Sequence, residues 1–160
     1  MSPSRKIAAA LDENTHAYVL PCTVTVEDGP NRFTLNLTAL DSVGAAFDSL
    51  EFVTTDRQDW SSEALNAWGE RLAARVTYLL EPLKVLEIDG GGGEVQIRSQ
   101  SPSSRADQRG FYEVRLFRQG RLRMERYTFD DATRQRRHAP CQFTREVVER
   151  LADDIAASAS

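Results

Sequence analysis

The sequence predicts an α+β fold, an antiparallel sheet of about seven strands (three, then four) with one long central helix and a C-terminal helix packed on it. Three observations predict it. Ser61 to Leu80 is a long amphipathic stretch, closed by Glu81-Pro82. The segments on either side of it are short, alternate apolar with polar residues, and are punctuated by Gly, Pro, Asn and Asp. From Thr144 the helical spacing returns, with Val147, Val148, Leu151 and Ile155 on one stripe.

Taken in order, MSPSRKIAAALDEN reads as a short N-terminal helix or flexible arm over residues 1–14, with Ser4 as cap. Its Ile-Ala-Ala-Ala-Leu run ends at once in Asp12 and Glu13, too short and polar for a signal peptide. His16–Val26 and Arg32–Leu40 pair around Glu27-Asp28-Gly29-Pro30-Asn31. Setting Val26 opposite Phe33 puts Val24 on Leu35, Cys22 on Leu37 and Leu20 on Ala39, all on one face. Thr23, Thr25, Thr34, Asn36 and Thr38 make the other face wet. Phe47–Thr55 is a third strand, with Leu50 and Phe52 inward.

In the central helix Leu65, Trp68, Leu72, Val76, Leu79 and Leu80 stack on one face, while Asn66, Glu70, Arg71 and Arg75 lie mostly opposite. Ser61 or Ser62 supplies the N-cap, and Glu63 suits the positive end of the dipole. Trp68 and Tyr78 read as core aromatics. Leu83–Asp89 and Glu94–Ser99 flank four glycines, with Ile88 on Val95 and Leu86 on Ile97. A phosphate loop would need a helix after the glycines and a Lys nearby; a strand follows, so the reading is a hairpin turn. Gln100–Gln108 is a polar loop.

Phe111–Phe117 and Arg121–Phe129 form the last hairpin around Arg118-Gln119-Gly120, with Gly120 at positive φ. Leu116 then meets Leu122 and Val114 meets Met124. This places Glu113 diagonal to Arg123 and Arg115 diagonal to Glu125, and sets Phe111, Phe117, Tyr127 and Phe129 on the face opposite Val114 and Leu116. Leu83 and Val85 are expected beside those rings. Asp130–Ala139 reads as an irregular, Arg-rich loop, and residues 156–160 as a frayed tail. The whole chain, 1–160, is expected to form one domain, long enough for a core that needs neither metal nor disulfide.

Charge is unevenly spread. Residues 1–97 hold 7 basic and 15 acidic side chains, residues 98–150 hold 13 and 7, and the total is −4. The chain has 18 Arg and only 2 Lys. That bias follows from a GC-rich genome or from anion recognition, for which Arg suits carboxylate and phosphate. Arg118, Arg121, Arg123, Arg126, Arg134, Arg136 and Arg137 make a candidate basic surface, which with Phe117 and Tyr127 has the ingredients of a single-strand nucleic-acid site. A self-paired face is the competing reading, and a pI near 5.3 argues against nucleic acid.

His16 with Cys22 and His138 with Cys141 make a zinc set on paper. On an extended strand, however, His16 and Cys22 stand roughly 20 Å apart, so no metal or cofactor is expected. A Cys141 nucleophile served by His138 lacks an orienting third residue, and no other catalytic motif is present. No run approaches the ~18 apolar residues of a membrane span, and the expected location is cytoplasmic.

The element order is similar to that of bacterial secretion-chaperone-like folds, which pair a twisted antiparallel sheet with helices and often dimerise. The likeness lies in element order, without motif residues. It implies a non-catalytic binding, adaptor or chaperone-like module with a protein partner. Phe111, Phe117, Tyr127 and Phe129 are the candidate face of a homodimer. The competing expectation is that the amino-terminal helix, with Ile7 and Leu11, folds across those rings. An Arg-lined anion or single-stranded nucleic-acid binder is the alternative function, and a small-molecule enzyme the third.

Overall fold

The computed structural model describes residues 2–15, 20–79, 81–89, 93–99, 104–105 and 108–160. His16, Leu80 and Gly90–Gly92, and with them the His16 half of the zinc reading, lie outside these residues. The elements run α1 (Pro3–Thr15), β1 (Cys22–Asp28), β2 (Asn31–Leu40), β3 (Gly44–Thr54), α2 (Ser62–Arg75), β4 (Leu83–Asp89), β5 (Glu94–Ser99), β6 (Ser104–Arg105), β7 (Gln108–Phe117), β8 (Arg121–Asp130), β9 (Gln135–Ala139), β10 (Cys141–Thr144) and α3 (Arg145–Ser158). Helices and an antiparallel sheet are combined as the sequence implies.

The main path of the sheet is β1-β2-β3-β8-β7-β5-β4, with β6, β9 and β10 attached at its margins. Local hairpins follow from turn chemistry and alternation. Val26 meets Phe33, Val24 meets Leu35 and Cys22 meets Leu37. Leu116 meets Leu122 and Val114 meets Met124. Gly120 has φ +83, and a Cβ there would lie 2.6 Å from the Arg57 carbonyl oxygen. The positive φ that the three-residue turn demands is therefore reinforced by close approach. The central join is non-local: β3 pairs with β8, Leu50 to Met124 and Phe52 to Leu122.

One face of this sheet carries the core. Phe33, Leu35, Leu50, Phe52, Val95, Ile97, Val114, Leu116, Leu122 and Met124 are buried beneath the three helices, α1 over β1 and β2 and α2 and α3 over the rest. From α2 come Leu65, Trp68 and Leu72, and from α3 Val148, Leu151 and Ile155. Trp60 stacks on Trp68 with centroids 4.8 Å apart. Gly69 lets α2 approach the sheet, since a Cβ there would sit 3.2 Å from Val85 Cγ2. Ser61 caps α2 by accepting from the Ala64 N–H, and Thr144 caps α3 by accepting from the Val147 N–H.

Several expectations are corrected. The central helix is not long, because it ends at Arg75 with Val76 as its C-cap. Val76, Thr77 and Tyr78 are poor helix formers, and the non-helical segment gains anchors of its own. Val76 and Leu79 are buried, and Tyr78 Oη donates to Asp154 Oδ2 at 2.7 Å. Arg71 is not idle on the solvent side, because its Nε donates to the Ser158 carbonyl at 2.8 Å. Nor does the tail fray from Ala156. Helix α3 runs on to Ser158, whose buried hydroxyl accepts from Trp68 Nε1 at 3.0 Å.

Leu86 does not meet Ile97. A register shift between Val85 and Glu87 sets Val85 opposite Ile97 and leaves Leu86 43% exposed. A bulge inverts side-chain parity, so Val85 turns towards α2, and Leu83 packs on the core with it rather than beside Phe111. Leu20 likewise lies outside β1 and is exposed. Within Asp130–Ala139, residues 135–139 form a strand on β8. Helix α1 does not cross the Phe111 face: Ile7 and Leu11 join the core, and α1 packs on α3 and β1.

Candidate functional site

Alternation in β7 and β8 builds the second face. With Val114 and Leu116 turned to the helices, Arg109, Phe111, Glu113, Arg115 and Phe117 must point outward. Across β8 they face Phe129, Tyr127, Glu125, Arg123 and Arg121. Arg98 lies beside Glu113, and Arg136 and His138 lie beside Phe129 and Tyr127. The candidate aromatic residues and part of the candidate basic surface are thus one surface.

Each of the four rings carries a guanidinium. The Cζ of Arg98 lies 4.7 Å from the Phe111 centroid, Arg136 3.6 Å from Tyr127, Arg109 5.3 Å from Phe129 and Arg121 5.8 Å from Phe117. Phe111 and Tyr127 also stack, at 6.1 Å. A cation over a ring face is attracted by the ring quadrupole. The rings therefore do not form the bare apolar patch that the sequence suggests. Arginine covers them, and Phe111 is only 8% exposed.

Carboxylates lie between the arginines. Glu113 is 2% exposed although it points away from the helices. Its Oε1 accepts from Gln96 Nε2 and lies 3.3 Å from Arg115 Nη2, and its Oε2 lies 3.1 Å from Arg136 Nη1. Arg123 bonds Glu125 at 2.9 Å and Glu51 at 2.6 Å. Hydrogen bonding to Glu125, then the charges of Glu125 and Glu51, raise the Arg123 pKa despite burial, so its positive charge is permanent. His138 Nε2 lies 3.3 Å from Glu125 Oε2 and 2.8 Å from the Asp48 carbonyl oxygen. Like charges meet directly at Glu113–Glu125 and Arg115–Arg123. Each is compensated along its own strand, Arg115 by Glu113 and Arg123 by Glu125, and from other strands by Glu94, Glu51 and Arg136.

The structure divides the candidate basic residues. Arg121, Arg123 and Arg136 share the outer face. Arg126 does not: it pairs across from Tyr112, stacks on that ring at 4.5 Å and lies 3.8 Å from Glu81 on the helix side. Arg137 alternates with Arg136 and also leaves the outer face. Arg118 and Arg134 sit in turns, Arg118 3.3 Å from Asp59 and Arg134 at φ 58. Sequence reasoning missed Arg98 and Arg109 as ring covers. The odd-numbered alternation from Arg109 to Phe117 carries that signal for Arg109, whereas for Arg98 the pairing of β5 with β7 is needed.

Other groups offer less chemistry. Cys141 is fully buried, and burial pushes its thiol from 9.0 up to about 12, which disfavours the thiolate a nucleophile needs. His138 sits on the outer face and does not serve it. Among the described residues no group of three His, Cys, Asp or Glu side chains is placed to hold a metal. An open cleft between α1 and the start of α3 holds Asp12, Arg145, Glu146 and Glu149. Its guanidinium is already engaged, with Asp12 Oδ1 at 2.5 Å and the Ala8 carbonyl at 3.3 Å. Among the described residues no helix is long and apolar enough to cross a membrane.

Comparison with protein-family models, curated proteins and solved structures finds no match to this chain.

Proposed function

We propose that this chain is a non-catalytic protein-binding module of adaptor or chaperone type, acting as a homodimer through the outer face of β7 and β8. One observation carries the reading. Four aromatic rings lie on that face, each under an arginine, and three of those arginines are themselves ion-paired: Arg109 with Asp131 at 2.7 Å, Arg121 with Glu51 at 4.0 Å and Arg136 with Glu113 at 3.1 Å. Aromatic residues and Arg are the types enriched in protein interfaces. Rings already held in place lose little further freedom on docking, which lowers the cost of association. A phosphate backbone would have to displace carboxylates already bonded to the cations, which supports a protein contact over a nucleic-acid one. The acidic first half and Arg-rich second half supply complementary fields for a two-fold pairing.

Sedimentation velocity at micromolar concentration tests this. The expected result is a dimer, shifted to monomer by Phe117→Glu. A monomer at every concentration, unchanged by Phe117→Glu, would overturn the homodimer. Retention of a single-stranded oligonucleotide with a steep salt dependence would replace the reading with the Arg-lined anion binder.

A further inference from the structure

The sheet forks at one end. β3 and β8 pair through Leu50–Val53 against Arg121–Met124 and then part. Beyond that point β8 carries β9 on its flank, while β3 carries β10. Pro140, between β9 and β10, has no N–H to extend either ladder. β9 therefore has a ladder partner on one side only, β8, while Arg136 reaches Glu113 of β7 and His138 reaches the Asp48 carbonyl of β3 through their side chains. In an antiparallel ladder alternate residues turn their N–H and C=O away from the partner. Gln135–Ala139 thus presents a row of outward backbone donors and acceptors. The side chains of Gln135, Arg136, Arg137 and His138 are exposed.

The two outermost strands of the main path are each guarded. Lys6 crosses from α1 to β1, donating to the Glu27 carbonyl at 3.0 Å and meeting Asp28 at 3.0 Å. β4 is interrupted by its register shift between Val85 and Glu87. β9 has neither device; it has charge. Arg136 is engaged by Glu113 and Tyr127. Arg137 points to the other side, and no carboxylate of the described residues lies within ion-pair distance of it.

We propose that the free edge of β9 is a strand-addition site for an extended acidic segment of a partner protein. The backbone ladder supplies the attachment, and Arg137 sets the sign of the incoming side chains. A second copy of the same edge is disfavoured. Antiparallel self-pairing centred on Arg137 would set that residue against its own copy, with like charges directly opposed. Charge that keeps an edge from its own kind is a common guard, and the same charge selects a strand of opposite sign. An added strand would lie in the fork, on the side of β9 towards β3 and β10, and leave Phe117 at the far end of the hairpin untouched. This site is therefore testable apart from the Phe117 end of the homodimer face.

The test titrates capped peptides of about seven residues into the isotope-labelled full chain, following backbone amides by NMR. The probes are an alternating Glu/Val peptide, its Lys/Val counterpart, and two Glu/Val versions N-methylated at alternate residues in the two possible registers. The Glu/Val peptide is expected to give saturable shifts at Gln135–Ala139, and the Lys/Val peptide none. One N-methylated version should fail, because its methyl groups fall in the new ladder, and the other should bind. Arg137→Glu should weaken Glu/Val binding by about tenfold, and Phe117→Glu should leave it unchanged. No saturation at millimolar Glu/Val peptide, equal binding of both N-methylated versions, or loss of binding in Phe117→Glu would each overturn the proposal.

Discussion

On the outer side of β1 and β2 the sheet presents Thr23, Thr25, Thr34 and Asn36; on the outer side of β7 and β8 it presents Arg109, Phe111, Glu113, Arg115 and Phe117. Both regions lie over the same buried apolar face. In the first, short side chains bond their immediate neighbours, as Thr23 Oγ1 does to Asn36 Oδ1 at 3.0 Å and Asn36 Nδ2 to Ser49 Oγ at 2.7 Å. In the second, long side chains each draw on several charged partners at once. Glu113 alone draws on Gln96, Arg115 and Arg136 from β5, β7 and β9. A threonine surface is a collection of separable residues, whereas a guanidinium–carboxylate–ring lattice is coupled, so removing one member strands the others. Such a surface suits recognition better than simple solvation.

The comparison can be broken most forcefully from beneath. Leu72→Ala removes a buried α2 side chain that serves the inner face, and should cost about 2–5 kcal/mol in urea unfolding. A loss well under 1 kcal/mol would mean that the helix stripe does not hold the sheet.

A sharper test sets the two outer faces against each other. Glu113→Ala leaves Arg115 and Arg136 without their shared carboxylate, and should cost about 1–3 kcal/mol, reduced because both arginines are partly exposed. Thr34→Ala on the other half should stay within about 0.5 kcal/mol. Equal losses would show that the lattice is no more coupled than the threonine face.

The smallest effect isolates one ring. Tyr127→Leu keeps apolar bulk but removes the ring beneath Arg136 and the stack on Phe111, and should cost about 0.5–1.5 kcal/mol. In the double variant with Arg136→Ala, the loss should fall short of the sum of the two single losses. Strict additivity would show that the cation–ring contact contributes nothing.

Turn chemistry and alternation made the hairpins readable. Val26 with Phe33, and Leu116 with Leu122, follow from the turn between them and a period of two, both local properties. The same parity placed Phe111, Phe117, Tyr127 and Phe129 together on the face away from the helices. It failed where one residue inverted it: at Leu86, the shift after Val85 turned Val85 inward. Parity also separates Arg126 from Arg121 and Arg123 on β8, and Arg137 from Arg136 on β9. The irregular reading of Asp130–Ala139 failed for another reason. β9 has no apolar alternation of its own, and β8 supplies the ladder that makes it a strand.

The sequence by itself determined the α+β class, the Thr144 cap, the registers of the β1–β2 and β7–β8 hairpins and the side of β7 and β8 on which the rings lie. All of these rest on interactions between residues near in the chain, where periodicity, cap and turn preferences act directly. Only the tertiary structure decided that β3 joins β8, that α2 stops at Arg75, and that Arg98, Arg109, Arg121 and Arg136 each cover a ring. Non-local strand pairing and long-range burial select those outcomes. A guanidinium on a long flexible stem takes its place from whichever carboxylate or ring the folded sheet brings within reach.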